Sequence, residues 1–169
     1  MSQRAEFCIK GQDFLAVPYH YRASGLDYVF LLNGVTTQET PYGSMVTIKN
    51  VHGLHRAIGL SIIEKPEPMA GSEFRFLRKQ MGLTQRELAI LMRTTDQTVA
   101  NYEKNKTEPG PAEAFMRVIY LLHVIPKETR VDVLKTVTEQ IRTRGRAKLP
   151  DLARRKIVQR WREGSKAAA

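Results

Sequence analysis

In the first third of the chain the apolar residues come in short β-branched and aromatic clusters, at residues 15–21, 28–32 and 45–48. Turn-forming residues separate them: Ser24-Gly25, Asn33-Gly34 and Pro41-Tyr42-Gly43. Short strands between turns are what this pattern predicts. Asn33-Gly34 suits the positive φ angles of a type I′ turn, so a hairpin is expected there. A mostly apolar run, 54–63, then ends at Glu64-Lys65-Pro66-Glu67-Pro68, which predicts one short helix followed by a stiff linker and a domain boundary.

Beyond that linker the spacing of apolar positions changes from two to about three and a half. Phe74, Leu77 and Met81 share a face, then Leu88, Ala89 and Met92, then Val99 with Tyr102, then Phe115, Val118, Ile119 and Leu122. Four short helices follow from this spacing. Gly82 closes the first, Thr84 and Thr95 are suited to cap the second and third, and Pro109-Gly110-Pro111 opens the fourth with a proline in its first turn. A fifth helix is expected over about 127–143, carrying Val131, Leu134, Val137 and Ile141. Arg144-Gly145-Arg146 breaks it, and a last amphipathic helical piece, 151–163, carries Leu152, Ile157 and Trp161. The expected fold class is a small α+β N-terminal domain (1–65), an all-α helix-turn-helix domain (66–126) and a basic helical extension (127–169).

Charge sharpens the picture through its distribution. The formal net charge is +10; residues 1–126 hold 14 Lys/Arg and 12 Asp/Glu, whereas 127–169 hold 13 and 5. A basic tract of this kind suits a polyanion. Its apolar stripes need burial, and its basic face, including Arg142, Arg144, Arg146, Arg154, Arg155 and Arg160, points to nucleic-acid contact, with a solvated extension or a dimerisation element as alternatives. No run reaches the roughly 18 apolar residues that cross a bilayer, and the N-terminus lacks a signal-peptide core, so a cytoplasmic protein with no membrane partner is expected. The single cysteine, Cys8, excludes an internal disulfide and a multi-cysteine zinc site. No enzyme is expected: Cys8 has no evident His partner, no glycine loop cradles a phosphate, and the carboxylates are scattered. No cofactor is implied.

The segment 83–106, LTQRELAILMRTTDQTVANYEKNK, has the layout of two helices joined by a turn short enough to force a sharp reorientation. Ala89 allows close approach of the second helix, and Arg93 and Thr94 occupy the turn. The start of the second helix is polar and amide-rich, and amides pair bidentately with adenine N6 and N7 in the major groove. With Gln85, Ala89, Tyr102 and Glu103 at their places, this segment resembles the Cro/cI (XRE) class of helix-turn-helix, whose domain is lambda repressor-like. The resemblance implies that Thr95, Asp96, Gln97 and Asn101 face the bases. It implies backbone contacts for Thr84, Gln85, Arg86, Lys104, Asn105 and Lys106, which set register without reading sequence. Asp96 has a second role open to it, stabilising the helix N-terminus. The class often has glycine where Arg93 and Asn105 stand.

A wider resemblance, over residues 15–125, is to the MqsA/YgiT-type antitoxin family, which joins a small zinc-binding domain to an XRE motif. It rests on VPYHYR at 17–22, VHGLHRAIG at 51–59, and EFRFLRKQMGLTQRELA at 73–89. The family's two Cys-x-x-Cys pairs are missing; the second would fall at Arg56 and Gly59. A metal-free domain is therefore expected. His20, His52 and His55 are the only histidines that would bear on an alternative metal site. Two functions follow: a regulator binding double-stranded DNA as a homodimer at an inverted repeat, or an antitoxin that also covers a toxin partner and represses its own operon.

Overall fold

The computed structural model describes residues 4–131 and 161–163. These form two compact units, 4–57 with 161–163 and 58–131, which divide inside a helix between Ala57 and Ile58.

The first unit is built on a four-stranded sheet. Strands β1 (Ala5–Ile9), β2 (Tyr19–His20) and β3 (Val29–Leu31) are followed by a hairpin, β4 (Val35–Thr40) and β5 (Gly43–Ile48), and by the start of helix α1 (Val51–Glu64). A last strand, β6 (Trp161–Glu163), completes the sheet in the order β2-β3-β1-β6. β1 runs parallel to β3 and antiparallel to β6, with Phe7 opposite Leu31 and Glu163. Phe7, Cys8 and Ile9 are consecutive and all buried, so β1 is covered on both faces, as central strands are. Leu26, Val29, Leu31 and Leu54 complete this core.

Three expectations change here. Residues 161–163 were expected to end a helix and instead form a strand. β1 offers an unpaired edge, and tertiary pairing overrides a weak helical pattern. The hairpin expected at Asn33-Gly34 lies instead between β4 and β5, with Thr40 opposite Gly43. Asn33 is buried, its Oδ1 accepting the Ile9 N–H at 2.7 Å and its Nδ2 donating to the carbonyls of Ile9 and Gln12 at 3.1 and 3.0 Å. The amide that sequence assigns to a turn thus satisfies the end of β1, where buried backbone groups need partners. Helix α1 also starts earlier than expected, because Asn50 Oδ1 accepts the Gly53 N–H at 3.2 Å and caps it.

The second unit packs the rest of α1 with α2 (Gly71–Gln80), α3 (Gln85–Leu91), α4 (Asp96–Glu103) and α5 (Pro111–Val124). Phe74, Leu77, Leu88, Ala89 and Val99 are buried, as the apolar spacing requires; on α5 the buried side chains are Met116, Tyr120, Leu121 and Val124, whereas the expected face of Phe115, Val118, Ile119 and Leu122 is exposed or only partly buried. The segment 64–68 lies inside this unit rather than spanning a gap. Arg117 on α5 donates to the carbonyls of Ile63 and Lys65, each at 2.8 Å, and of Glu67 at 2.9 Å, while Glu113 fixes its guanidinium. One side chain thereby satisfies carbonyls that the end of α1 leaves open. Of the expected fifth helix, 127–129 is a 3₁₀ turn; residues 132–143, with Leu134, and 151–160 lie outside the described residues. Among the described residues no helix is long and apolar enough to cross a membrane.

Candidate nucleic-acid interface

Helices α3 and α4 are both capped by threonine. Thr84 Oγ1 accepts the Glu87 N–H at 3.1 Å, and the Glu87 carboxylate takes the Thr84 N–H at 2.7 Å and its hydroxyl at 2.8 Å. This reciprocal box holds the Glu87 carboxyl below its ordinary range, chiefly through the backbone N–H of Thr84 and then through its hydroxyl. Thr95 Oγ1 accepts the Thr98 N–H at 3.1 Å, fixing where α4 begins. Between the two helices Arg93 takes φ 51°, and after α4 Asn105 takes φ 54°. Both positions use the left-handed conformation that glycine adopts at least cost. The Thr94 N–H reaches back to the Ala89 carbonyl at 2.9 Å, and the Lys106 N–H to that of Asn101 at 2.9 Å, which close the two helices.

The end of α4 is locked from beneath. Arg78 on α2 donates to Glu103 through Nε at 2.5 Å and Nη2 at 3.2 Å, and through Nη1 to the Leu83 carbonyl at 2.6 Å. Gln85 Nε2 donates to the same carboxylate at 2.9 Å. The Arg78 and Glu103 side chains are only 10% and 4% exposed, so this forked pair is a buried one joining α2, α3 and α4. A second lock lies beside it. A Cβ on Gly71 would stand 2.4 Å from the Tyr102 carbonyl oxygen, so α2 approaches α4 at a distance only glycine permits. Asn105 Oδ1 accepts the Gly71 N–H at 2.6 Å.

The residues expected to meet DNA therefore divide. Thr84, Arg86, Thr95, Asp96, Gln97, Lys104, Asn105 and Lys106 are exposed; Gln85 and Asn101 are partly so. Asp96 Oδ1 accepts the Gln97 backbone N–H at 2.9 Å, which is its helix-stabilising role. Gln85 and Asn105 each commit one side-chain atom internally, to Glu103 and Gly71, and each amide has further N–H donors. Gln97 Nε2 donates to Asn101 Oδ1 at 3.1 Å, one turn further along the same exposed face. Sequence reasoning gave no role to Arg78. Its signal was a charged residue adjoining the apolar face of Phe74 and Leu77, where an arginine requires a carboxylate partner.

Of His20, His52 and His55, two have other partners. His20 stacks on Phe30 and bonds the Asp27 carbonyl at 2.9 Å, and His55 Nε2 lies 2.7 Å from the Tyr21 hydroxyl. Burial, and secondly the charge of Tyr19, raise the Tyr21 phenol above its ordinary value. Among the described residues no group of three or more His, Cys, Asp or Glu side chains gathers as a metal would need.

Residues 74–115 match the model of a helix-turn-helix family. No curated protein and no solved structure matches the chain. The matched stretch begins in α2 and reaches the first turns of α5, so it includes every part of the lock around Arg78 and Glu103.

Proposed function

We infer that this protein is a transcription regulator that inserts α4 into the major groove and binds an inverted-repeat operator as a homodimer. The observation that carries this reading is the division of labour on α4. Its buried end is fixed by Arg78 and Gln85 through Glu103, while its exposed start presents the amide of Gln97, with the partly exposed Asn101 one turn further on. A rigid helix with adaptable polar tips is what direct readout requires, since bases are distinguished by their donor and acceptor patterns. Arg86, Lys104 and Lys106 flank it as phosphate contacts that set register.

The need for two copies follows from size. A recognition helix of about two turns reads only four or five base pairs, and two-fold symmetry doubles that. Phe115 and Val118 on α5 are 39% and 37% exposed, beside partly buried Ile119 and Leu122. This apolar strip is the proposed dimer surface. The basic residues of 127–169 add a sequence-independent electrostatic contribution to affinity.

Sedimentation with and without a duplex operator tests the dimer. Two chains per duplex are expected, and Leu122→Glu should leave single chains that retain their helical circular dichroism, because a carboxylate is costly to bury in an apolar contact. A wild-type monomer at micromolar concentration, binding one per duplex, would refute it.

A further inference from the structure

In the first unit the parallel strands β1 and β3 end side by side, with Phe7 opposite Leu31. The chain then leaves them in different directions. From β1 it crosses to β2, on the far side of β3, whereas from β3 it departs for the β4–β5 hairpin. Between the diverging turns lies a cavity of about 370 Å³, lined by residues 11–13 and Leu15 after β1, by Asn33, Gly34 and Val35 after β3, and by Lys49 after β5. A crevice beyond the carboxyl ends of parallel strands is where open α/β sheets hold their ligands. Its volume is at the small end of the range of ligand pockets, about 300 to 1,000 Å³.

The walls are fixed by backbone and amide hydrogen bonds. Asn33 ties the two turns together, accepting the Ile9 N–H at 2.7 Å and donating to the Gln12 carbonyl at 3.0 Å. The Leu15 N–H donates to the Leu32 carbonyl at 2.7 Å, and the Lys49 N–H to the Gly34 carbonyl at 2.9 Å. A wall already held in place lowers the ordering cost of binding.

Of the lining residues, Asp13 and Lys49 are ionisable, one of each sign, and both are exposed. The lining is thus neutral as a whole but dipolar. A ligand of a single charge would meet its own sign at one of the two, whereas a zwitterion complements both. Leu15 and Val35 add apolar surface for a short aliphatic group.

We propose that this cavity binds a free α-amino acid with a small aliphatic side chain, whose ammonium pairs with Asp13 and whose carboxylate pairs with Lys49. The site lies wholly within the first unit and is independent of how α4 meets DNA.

Isothermal titration of the full chain tests this with free alanine, valine and leucine, and with free aspartate and lysine as ligands of unbalanced charge. The N-acetyl and amide derivatives of the tightest binder, each lacking one of its two charges, complete the set. Saturable binding of at least one aliphatic amino acid, one per chain, is expected, with backbone amide NMR shifts centred on residues 11–13, Gly34 and Lys49. Aspartate, lysine and both derivatives should bind about 10-fold or more weakly, the loss of one hydrogen bond to a charged group. Asp13→Asn and Lys49→Met should each weaken the aliphatic ligand by about the same factor. The N-acetyl derivative should bind Asp13→Asn as it binds wild type, because the ammonium that Asp13 would hold is already gone. No saturable binding of any aliphatic ligand at about 10 mM, tenfold above a millimolar Kd, would overturn the proposal. So would derivatives that bind as tightly as their parent, or undiminished binding by folded Asp13→Asn and Lys49→Met. Should either variant fail to fold, the derivatives decide on the unaltered chain.

Discussion

Replacing Glu103 by alanine removes three hydrogen bonds at once, two from Arg78 and one from Gln85. The guanidinium that remains is 10% exposed and keeps only the Leu83 carbonyl as an acceptor. Removing one partner of a buried ion pair costs about 3 to 5 kcal/mol, because the other charge stays buried without compensation. For a domain of this size each kcal/mol moves the melting midpoint by about 4 to 8 °C, so a fall of at least about 12 °C is expected. Replacing both partners by apolar residues, Arg78→Met with Glu103→Leu, should recover most of the loss, since a well-packed apolar pair often equals a buried ion pair. Urea and thermal unfolding followed by helical circular dichroism measure both variants, because the helices of the second unit dominate that signal. A cost below about 1 kcal/mol for Glu103→Ala, or a double replacement no more stable than the single one, would refute the structural weight given to this ion pair.

Other outcomes follow from the same geometry. Arg93→Gly relieves a left-handed residue at a cost of about 1 to 2 kcal/mol and adds unfolded-state freedom of about 0.4 to 1, so a net gain of about 0.5 to 1 kcal/mol is expected in urea unfolding. Gly71→Ala places its methyl against backbone carbonyls that cannot turn aside, and should lose about 1 to 3 kcal/mol in the same assay. Lys104→Ala should weaken binding to all DNA sequences alike and lower the slope of log affinity against log salt by about one. The Glu87 carboxyl titrates below its unfolded value, so its capping contribution is present above the ordinary carboxylate range and is lost as pH falls through the depressed value; Glu87→Gln should flatten that acid limb of the stability profile. Elemental analysis should find no stoichiometric zinc, and a chelator should leave the melting curve unmoved, since His20 and His55 are engaged with Asp27 and Tyr21.

The helical unit could be read from sequence because its signals are local. Thr84 and Thr95 cap the helices they were expected to cap, Pro111 opens α5, and the apolar positions from Phe74 to Val99 recur at helical spacing, whereas on α5 the buried face of Met116, Tyr120, Leu121 and Val124 lies beside the expected one of Phe115, Val118, Ile119 and Leu122. The sheet unit was harder because its determinants are distant along the chain. Asn33 carries the composition of a turn, yet its amide is used by residues 24 positions away. β1 lies in a segment without alternation and is paired by a strand more than 150 residues later, a pairing no window of sequence contains. At the candidate interface, the side chains named from residue type are exposed except Gln85 and Asn101, which are partly so. The Arg78–Glu103–Gln85 lock joins residues 18 and 25 positions apart, and it became visible only once three helices were in place.

Whether α4 reads DNA in two symmetry-related copies is decided by selecting duplexes from a random library with the wild-type chain. The expected outcome is an enriched inverted repeat whose half-site centres lie about 10 base pairs apart or at a multiple of that, protected as a dyad in a footprint, and lost in Gln97→Ala with Asn101→Ala while non-specific binding persists. Enrichment of a motif without a dyad, or the same motif selected by the doubly substituted chain, would contradict it.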